Sequence, residues 1–155
     1  MPHKPKDYKK VIVVNRKARY EYFIDETFEA GIVLVGSEAK SLRNNDVNIG
    51  DSYADCENGE VVLINSYIPE YSKAFAYNHS PRRTRKLLLR KRQIKKLVGA
   101  LKTKGVTIVP LSIYFNNKNL AKVEIALVRG KKEYDKRQSI KEADWKRDKA
   151  RIMSE

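Results

Sequence analysis

The spacing of apolar and polar positions along this 155-residue chain changes several times, and each change marks an element. "VIVVN", from Val11 to Asn15, is an apolar run of strand length. After "RKARYEYF", the stretch "ETFEAGIVLVG" carries a β-branched run that stops at Gly36. Ser37 then stands where it can cap one or two helical turns over "EAKSLR", ahead of the turn formers "NNDVNIG". "DSYADCE" and "EVVLINSYI" flank Asn58-Gly59, a pair that tolerates the positive φ of a type I′ turn and so predicts a hairpin, closed by Pro69. Residues 70–83 show no period and read as a mobile loop. The spacing of Leu87, Ile94, Leu97, Val98 and Leu101 predicts one long helix over about 84–104, with Gly105 placed to end it. "VTIVPLSIYF" and "AKVEIALVRG" alternate on either side of "NNKN", a second hairpin, with Val123, Ile125 and Leu127 on one face and Lys122 and Glu124 on the other.

Six or so strands, turn-linked hairpins and one main helix predict a mainly β chain. The expected fold is an OB-fold-type closed or partly open β-barrel with appended helices and a flexible basic C-terminal tail. A split α+β sheet is the alternative. The expected boundaries are a flexible basic arm over 1–10, an OB-fold-like RNA-binding domain over 11–130 and a tail over 131–155.

Charge changes this picture from a fold to a partner. The chain holds 33 Lys+Arg against 19 Asp+Glu, a formal net charge of +14. Such an excess repels itself in a compact state and points to a polyanion, nucleic acid before membrane. The longest apolar runs, "GIVLVG" and "VIVV", fall far short of the roughly 20 residues that cross a bilayer. A single cysteine, Cys56, rules out an internal disulfide framework and suits a reducing cytosol. Catalytic ingredients are scarce: the histidines are His3 and His79, no ligand spacing suits zinc, and no glycine-rich loop suits a phosphate. We therefore expect no enzyme, no cofactor and no metal.

The basic residues are clustered. Every charged residue from Arg82 to Lys104 is a cation, Arg83, Arg85, Lys86 and Arg90 among them, and like charges recur at helical i,i+4 spacing. "NRKARYEY" interleaves cations with tyrosines, the mixture that stacks on unpaired bases while holding phosphates. "VRGKKEYDKR" sets Arg129, Lys131 and Lys132 around Gly130, where a backbone can approach a ligand closely. Three basic sites on one small barrel suggest a folded RNA rather than a single DNA groove. The last stretch opens with Ser139-x-x-Glu142, a capping box, followed by the favourable pair Glu142 and Lys146. Its apolar residues are too few and too scattered to dock on a barrel, so the tail is expected to be disordered alone and helical on a partner.

"NRKARYEYFIDETFEAGIVLVGSEAKSLR", "DSYA", "PRRTRKLLL", "VPLSIYF" and "ALVRGKKEYDKR…IKEADWKRDKARIM", in that order, closely resemble the SsrA-binding protein family, SmpB. The resemblance runs from about Val11 to the C-terminus. It implies an OB-fold adaptor of bacterial trans-translation that binds the tRNA-like domain of transfer-messenger RNA. It further implies delivery to stalled ribosomes, with alanyl-tRNA synthetase and the GTP-bound elongation factor that carries aminoacyl-tRNA as indirect partners. The RNA-facing positions it marks are Asn15, Arg16, Lys17, Arg19, Tyr22, Glu29, Leu88, Lys122, Gly130, Lys131 and Lys132. For the small-subunit decoding centre and message channel it marks Tyr134, Asp135, Lys136, Arg137, Ile140, Lys141, Trp145, Lys149, Arg151, Ile152 and Met153. Asp46 stands where the family usually has lysine, Arg90 where a neutral residue or His is commoner, and Ala143 where arginine is common. A general binder of ribosomal or other structured RNA, without the rescue role, is the alternative reading.

Overall fold

The structure, a computed structural model, describes residues 4–44, 46–73, 77–131 and 133–153, the last of these with side chains over 140–151. In chain order the elements are β1 (Lys10–Val14), α1 (Arg16–Glu21), β2 (Tyr22–Ile32), α2 (Gly36–Asn44), β3 (Tyr53–Glu57), β4 (Glu60–Ile64), β5 (Arg85–Leu88), α3 (Lys91–Leu101), β6 (Val106–Phe115), β7 (Ala121–Gly130) and α4 (Glu133–Met153). Both predicted hairpins form. Asn58 and Gly59 turn with φ of 51° and 77°, setting Glu57 opposite Glu60. In the other, Asn116 Oδ1 accepts the backbone N–H groups of Lys118 and Leu120 at 3.0 and 2.9 Å, and Asn119 takes φ 63°.

All pairings are antiparallel, and they close on themselves: β6, β3, β4, β5, β2, β7 and back to β6. β1 extends the β3 side of β6, pairing Val14 with Ser112 and Lys10 with Phe115. The expected barrel is present in its closed form. Its interior is filled by alternate residues of every strand, among them Ala30, Val61, Leu63, Leu87, Ile108, Ile113, Val123 and Ile125. The run "IALV" in β7 departs from strict alternation for a physical reason. Ala126 and Val128 point out of the barrel yet are buried, with Val109 and Leu111 of β6, beneath Ala18 of α1.

One predicted element is corrected. Residues 84–104 are not a single helix: Arg85–Leu88 is strand β5, and α3 starts at Lys91. Burial in β5 alternates, with Arg85 and Leu87 inside and Lys86 and Leu88 outside. Leu87 pairs with Val61 on one side and Ile32 on the other, so this strand completes the ring. Without it β2 and β4 would each expose an unpaired edge, and that demand overrides the helical preference of "RKLLL". Part of the stripe holds: Leu97 is buried, and Ile94 and Leu101 pack against the barrel core, whereas Val98 is half-buried outside that cluster and the helix ends at Leu101, ahead of the expected 104.

The start of α2 is also built differently from the sequence reading. Ser37 gives its hydroxyl to a 2.9 Å contact with His79 Nδ1, while His79 Nε2 donates to Ile68 O at 2.9 Å, pinning the end of the 70–83 loop. The helix is capped instead by Glu38, whose Oε1 accepts the Val35 N–H at 3.0 Å. Glu38 is wholly buried, and its carboxylate also accepts from Arg83 and from the equally buried Arg85. Arg85 spends its remaining donors on Ser66 O (2.9 Å), Ser66 Oγ (2.8 Å) and Pro81 O (3.2 Å). Three segments far apart in sequence are thus held by one ion pair. Burial pulls the Glu38 carboxyl upward, but the Arg83 guanidinium, the Val35 N–H and Arg85 outweigh it and hold it below the ordinary value. Burial draws Arg85 down from an ordinary value so high that the guanidinium stays charged.

Removing one partner leaves the other buried and unpaired. Arg85→Met or Glu38→Ala alone should therefore cost on the order of 3–5 kcal/mol in urea unfolding. The double substitution should cost less than the sum of the two. Because the folded carboxyl is held below its unfolded value of about 4.3, its stabilisation is full above that pH. It disappears as pH falls through the folded value, so the wild-type Tm should drop on acidification below about pH 4 more steeply than that of the double variant.

Candidate nucleic-acid interface

The long strand β2 organises the basic surface. Its first residue, Tyr22, lies opposite Gly130 of β7, and its tenth, Gly31, lies opposite both Lys122 of β7 and Leu88 of β5. Nine steps at about 3.3 Å separate these points by about 30 Å. Residues a hundred positions apart in sequence are brought together at each end.

At the first end Arg16, Lys17 and Arg19 project from α1 into solvent. Lys131 is fastened beside them: its backbone N–H donates to Glu21 O at 2.9 Å and its Nζ to Arg19 O at 3.0 Å, with Nζ 5.1 Å from the Phe23 ring centre. Arg129 forks onto Asp25 through Nε and Nη2 at 3.0–3.2 Å, and that carboxylate raises its pKa further. Lys17 meets Asp51 only at 3.8 Å with both groups exposed, a contact worth little in water. Lys132 lies outside the described residues.

Two positions assigned to RNA are tied into the barrel. Asn15 is buried: its backbone N–H donates to Leu111 O at 2.7 Å and its Nδ2 to Pro110 O at 2.9 Å, which ties the start of α1 to β6. Tyr22 packs against the small cluster under α1 rather than standing free. Both position the arginines and lysine of α1.

At the second end Glu29, Gly31, Leu88, Arg90 and Lys122 line one cleft of about 480 Å³, with Gln93 and Leu89 completing it. Leu88 is 52% exposed, an apolar side chain held outside by the strand's alternation. A Cβ at Gly31 would come 3.2 Å from Leu88 Cβ, so glycine lets the two strands seat that leucine. Arg90 extends from the start of α3, where its backbone N–H donates to Gln93 Oε1 at 3.0 Å. Glu29 accepts the hydroxyl proton of Tyr114, a partner that lies 85 residues away and that no local pattern in the sequence marks.

The basic run from Arg82 to Lys104 is less uniform in space than in sequence. Arg85, expected at the RNA surface, is 0% exposed and belongs to the Glu38 pair, so it cannot reach a phosphate. Arg83 shares that carboxylate. Lys86 pairs with Glu60 at 2.9 Å and Lys96 with Glu26 at 2.7 Å, acids supplied by other strands. Lys91, Arg92, Lys95, Lys102 and Lys104 have no salt bridge among the described residues.

Helix α4 lies against α1, where Ile140, Ala143, Asp144 and Arg147 face Arg16, Arg19 and Tyr20 across a cleft of about 380 Å³. Ile140, Lys141, Trp145, Lys149 and Arg151 are all exposed on it, with Lys149 Nζ 5.0 Å from the Trp145 ring centre. The side chains of Tyr134, Asp135, Lys136, Arg137, Ile152 and Met153 lie outside the described residues. Among the described residues no helix is long and apolar enough to cross a membrane.

The chain is similar to known proteins. The family model described as SmpB protein matches residues 12–155. An "SsrA-binding protein" of Novosphingobium aromaticivorans is 58% identical over 99% of this chain and 96% of its own length. One of Caulobacter vibrioides is 57% identical over 93% and 95%. Among solved structures, a chain of "tmRNA-SmpB: a journey to the center of the bacterial ribosome" superposes with a TM-score of 0.66 at 50% identity, covering 78% of this chain and 85% of that one.

The two kinds of site residue should separate by stability. Asn15→Ala strands buried carbonyl groups and should lower unfolding free energy by roughly 1–3 kcal/mol. Arg16→Ala, exposed on the same helix, should change it by less than about 0.5 kcal/mol. Urea unfolding of the two variants checks this.

Proposed function

This chain belongs to the SmpB protein family, and we propose that it is an RNA-binding adaptor for ribosome rescue. It binds the tRNA-like domain of transfer-messenger RNA and brings that RNA to stalled ribosomes for trans-translation. The observation that supports this reading is the register of β2, which sets two groups of residues that we read as RNA-facing about 30 Å apart on one barrel. Arg16, Lys17, Arg19, Gly130 and Lys131 form one group; Glu29, Leu88, Arg90 and Lys122 form the other. Cations neutralise backbone phosphates and fix position, whereas Glu29 accepts from base amino groups that a lysine cannot address. Leu88 offers an apolar surface to the face of a base or sugar. The role is one of binding, without turnover, and a ribosomal partner puts the chain in the cytoplasm.

In the same reading the segment 131–155 is the ribosome-facing part. Tyr134, Asp135, Lys136 and Arg137 meet the decoding centre, and Ile140, Lys141, Trp145, Lys149, Arg151, Ile152 and Met153 follow the message channel. The helical form of α4 is the form that fits such a channel, and in the free chain it exchanges with disordered forms. Delivery involves alanyl-tRNA synthetase and the GTP-bound elongation factor indirectly, through the RNA they share.

Affinity for the isolated tRNA-like domain should exceed that for duplex DNA of equal length at least a hundredfold at 150 mM salt. It should fall linearly in log–log form as salt rises, and Lys122→Ala should shallow the slope by about 1. Filter binding across a salt series measures both, and equal affinity for duplex DNA would overturn the reading. Truncation after Arg137 should leave this affinity within about twofold while abolishing peptide tagging on stalled ribosomes in a reconstituted translation system. Tagging by the truncated chain would remove the role given to the tail.

A further inference from the structure

Helix α3 has two faces, and only one of them is turned to the barrel. At about 100° per residue, Gln93 of the Leu88 cleft, Lys96 bound to Glu26 of β2, and the buried Leu97 fall on one side. Lys91, Lys95, Val98 and Lys102 fall on the other. With Ile94 and Gly99 they line a groove of about 450 Å³ that reaches Gly59 at the tip of the β3–β4 hairpin.

The floor of this groove is apolar and its rim is cationic. Ile94 and Val98 are half-buried, while Lys91, Lys95 and Lys102 stand exposed around them. These three lysines have no salt bridge among the described residues, and Lys91 and Lys95 repel each other at i,i+4 spacing. No acid lines the groove: Glu57 and Glu60 flank the hairpin tip outside it, and Glu60 is bound to Lys86 at 2.9 Å. Gly99 adds an opening. Glycine weakens a helix interior, and a Cβ here would meet nothing within 4 Å, so no contact inside the chain calls for it. Its effect is to leave the helix backbone open to close approach from outside.

An occupant must cover apolar carbon and bring carboxylates to the edges. An RNA strand would lay phosphates over Ile94 and Val98 and find no ring to stack on, since no aromatic residue lines the groove. A second copy of this chain brings another +14, and α4 carries more cations than acids, so neither complements three lysines. From Lys91 to Lys102 the rim runs about 17 Å along the helix, the length of three turns.

We propose that this face of α3 is a docking site for an acidic amphipathic helix of another protein. Apolar residues of that helix, spaced at i, i+3 or i+4 and i+7, cover Ile94, Val98 and the Gly99 backbone. Its Asp and Glu side chains pair with Lys91, Lys95 and Lys102. The groove lies across α3 from the Leu88 cleft, so such a partner binds without displacing RNA from the surface proposed above.

The test uses the full chain and a synthetic amphipathic helix of about 14 residues, with leucine on one face and glutamate on both flanks. A scrambled peptide of the same composition controls for plain attraction to a cationic protein. In fluorescence anisotropy the ordered peptide should bind about tenfold more tightly than the scrambled one. Lys95→Glu combined with Lys102→Glu should abolish that preference. Arg92→Glu combined with Lys104→Glu, an equal change in net charge outside the groove, should keep it. Gly99→Phe fills the groove and should also abolish the preference, without lowering the urea midpoint and with affinity for the tRNA-like domain held within about twofold. Equal binding of the two peptides by the wild type, or a preference that survives Gly99→Phe, overturns the docking site. If Gly99→Phe instead weakens RNA binding at an unchanged urea midpoint, the groove belongs to RNA and the protein partner is wrong. The preference for this RNA over duplex DNA is measured separately, so failure of the docking site leaves the adaptor reading intact.

Discussion

Closure of the sheet is the constraint on which the rest of the molecule depends. β7 is hydrogen-bonded along nearly its whole length to β2 on one side and to β6 on the other, and β5 seals the remaining gap between β2 and β4. A closed ring has no edge from which register can slip, and the long β2–β7 and β6–β7 ladders fix it even though β3–β6 and β2–β5 meet over only one and two residue pairs. The relative positions of α1, Leu88, Glu29 and Lys122 follow from that register rather than from local loop conformation. The surface that carries these residues is therefore set by the barrel itself, so a ligand meeting it would not spend free energy on ordering it.

The same closure brings acids and cations from distant strands together. A chain with a net charge of +14 must keep its cations apart or paired. The barrel does both. Arg83 and Arg85 are gathered around Glu38, Arg129 onto Asp25, Lys96 onto Glu26 and Lys86 onto Glu60, while α1 and α3 hold other cations in solvent. Positive charge at the surface is thus a remainder left after structural pairing, and its pattern differs from the pattern of basic residues along the chain.

That difference marks the boundary of what the sequence made legible. Both hairpins could be read, because Asn58-Gly59 and the "NNKN" turn carry their conformation in a few adjacent residues. The alternation of Val123, Ile125 and Leu127 was legible for the same reason. β5 was not, since "RKLLL" acquires its strand character from Val61 and Ile32, partners outside any local window. Arg85 looked like a phosphate ligand beside its basic neighbours, and only the fold supplies Glu38, 47 residues away. The mixed role of the Asn15–Tyr22 motif was hidden likewise: the exposed cations were readable, but the burial of Asn15 depends on where β6 passes. Family resemblance located the motifs as blocks and could not divide each block into residues that touch a ligand and residues that hold those residues in place.

Lys131, bonded to both Glu21 and Arg19, fixes the point at which the last segment leaves the barrel. As a 21-residue helix that segment spans about 31 Å, whereas the same residues fully extended could reach about 70 Å. Coiling or uncoiling it against a fixed root is thus a change of length of about 40 Å with no change in chemistry.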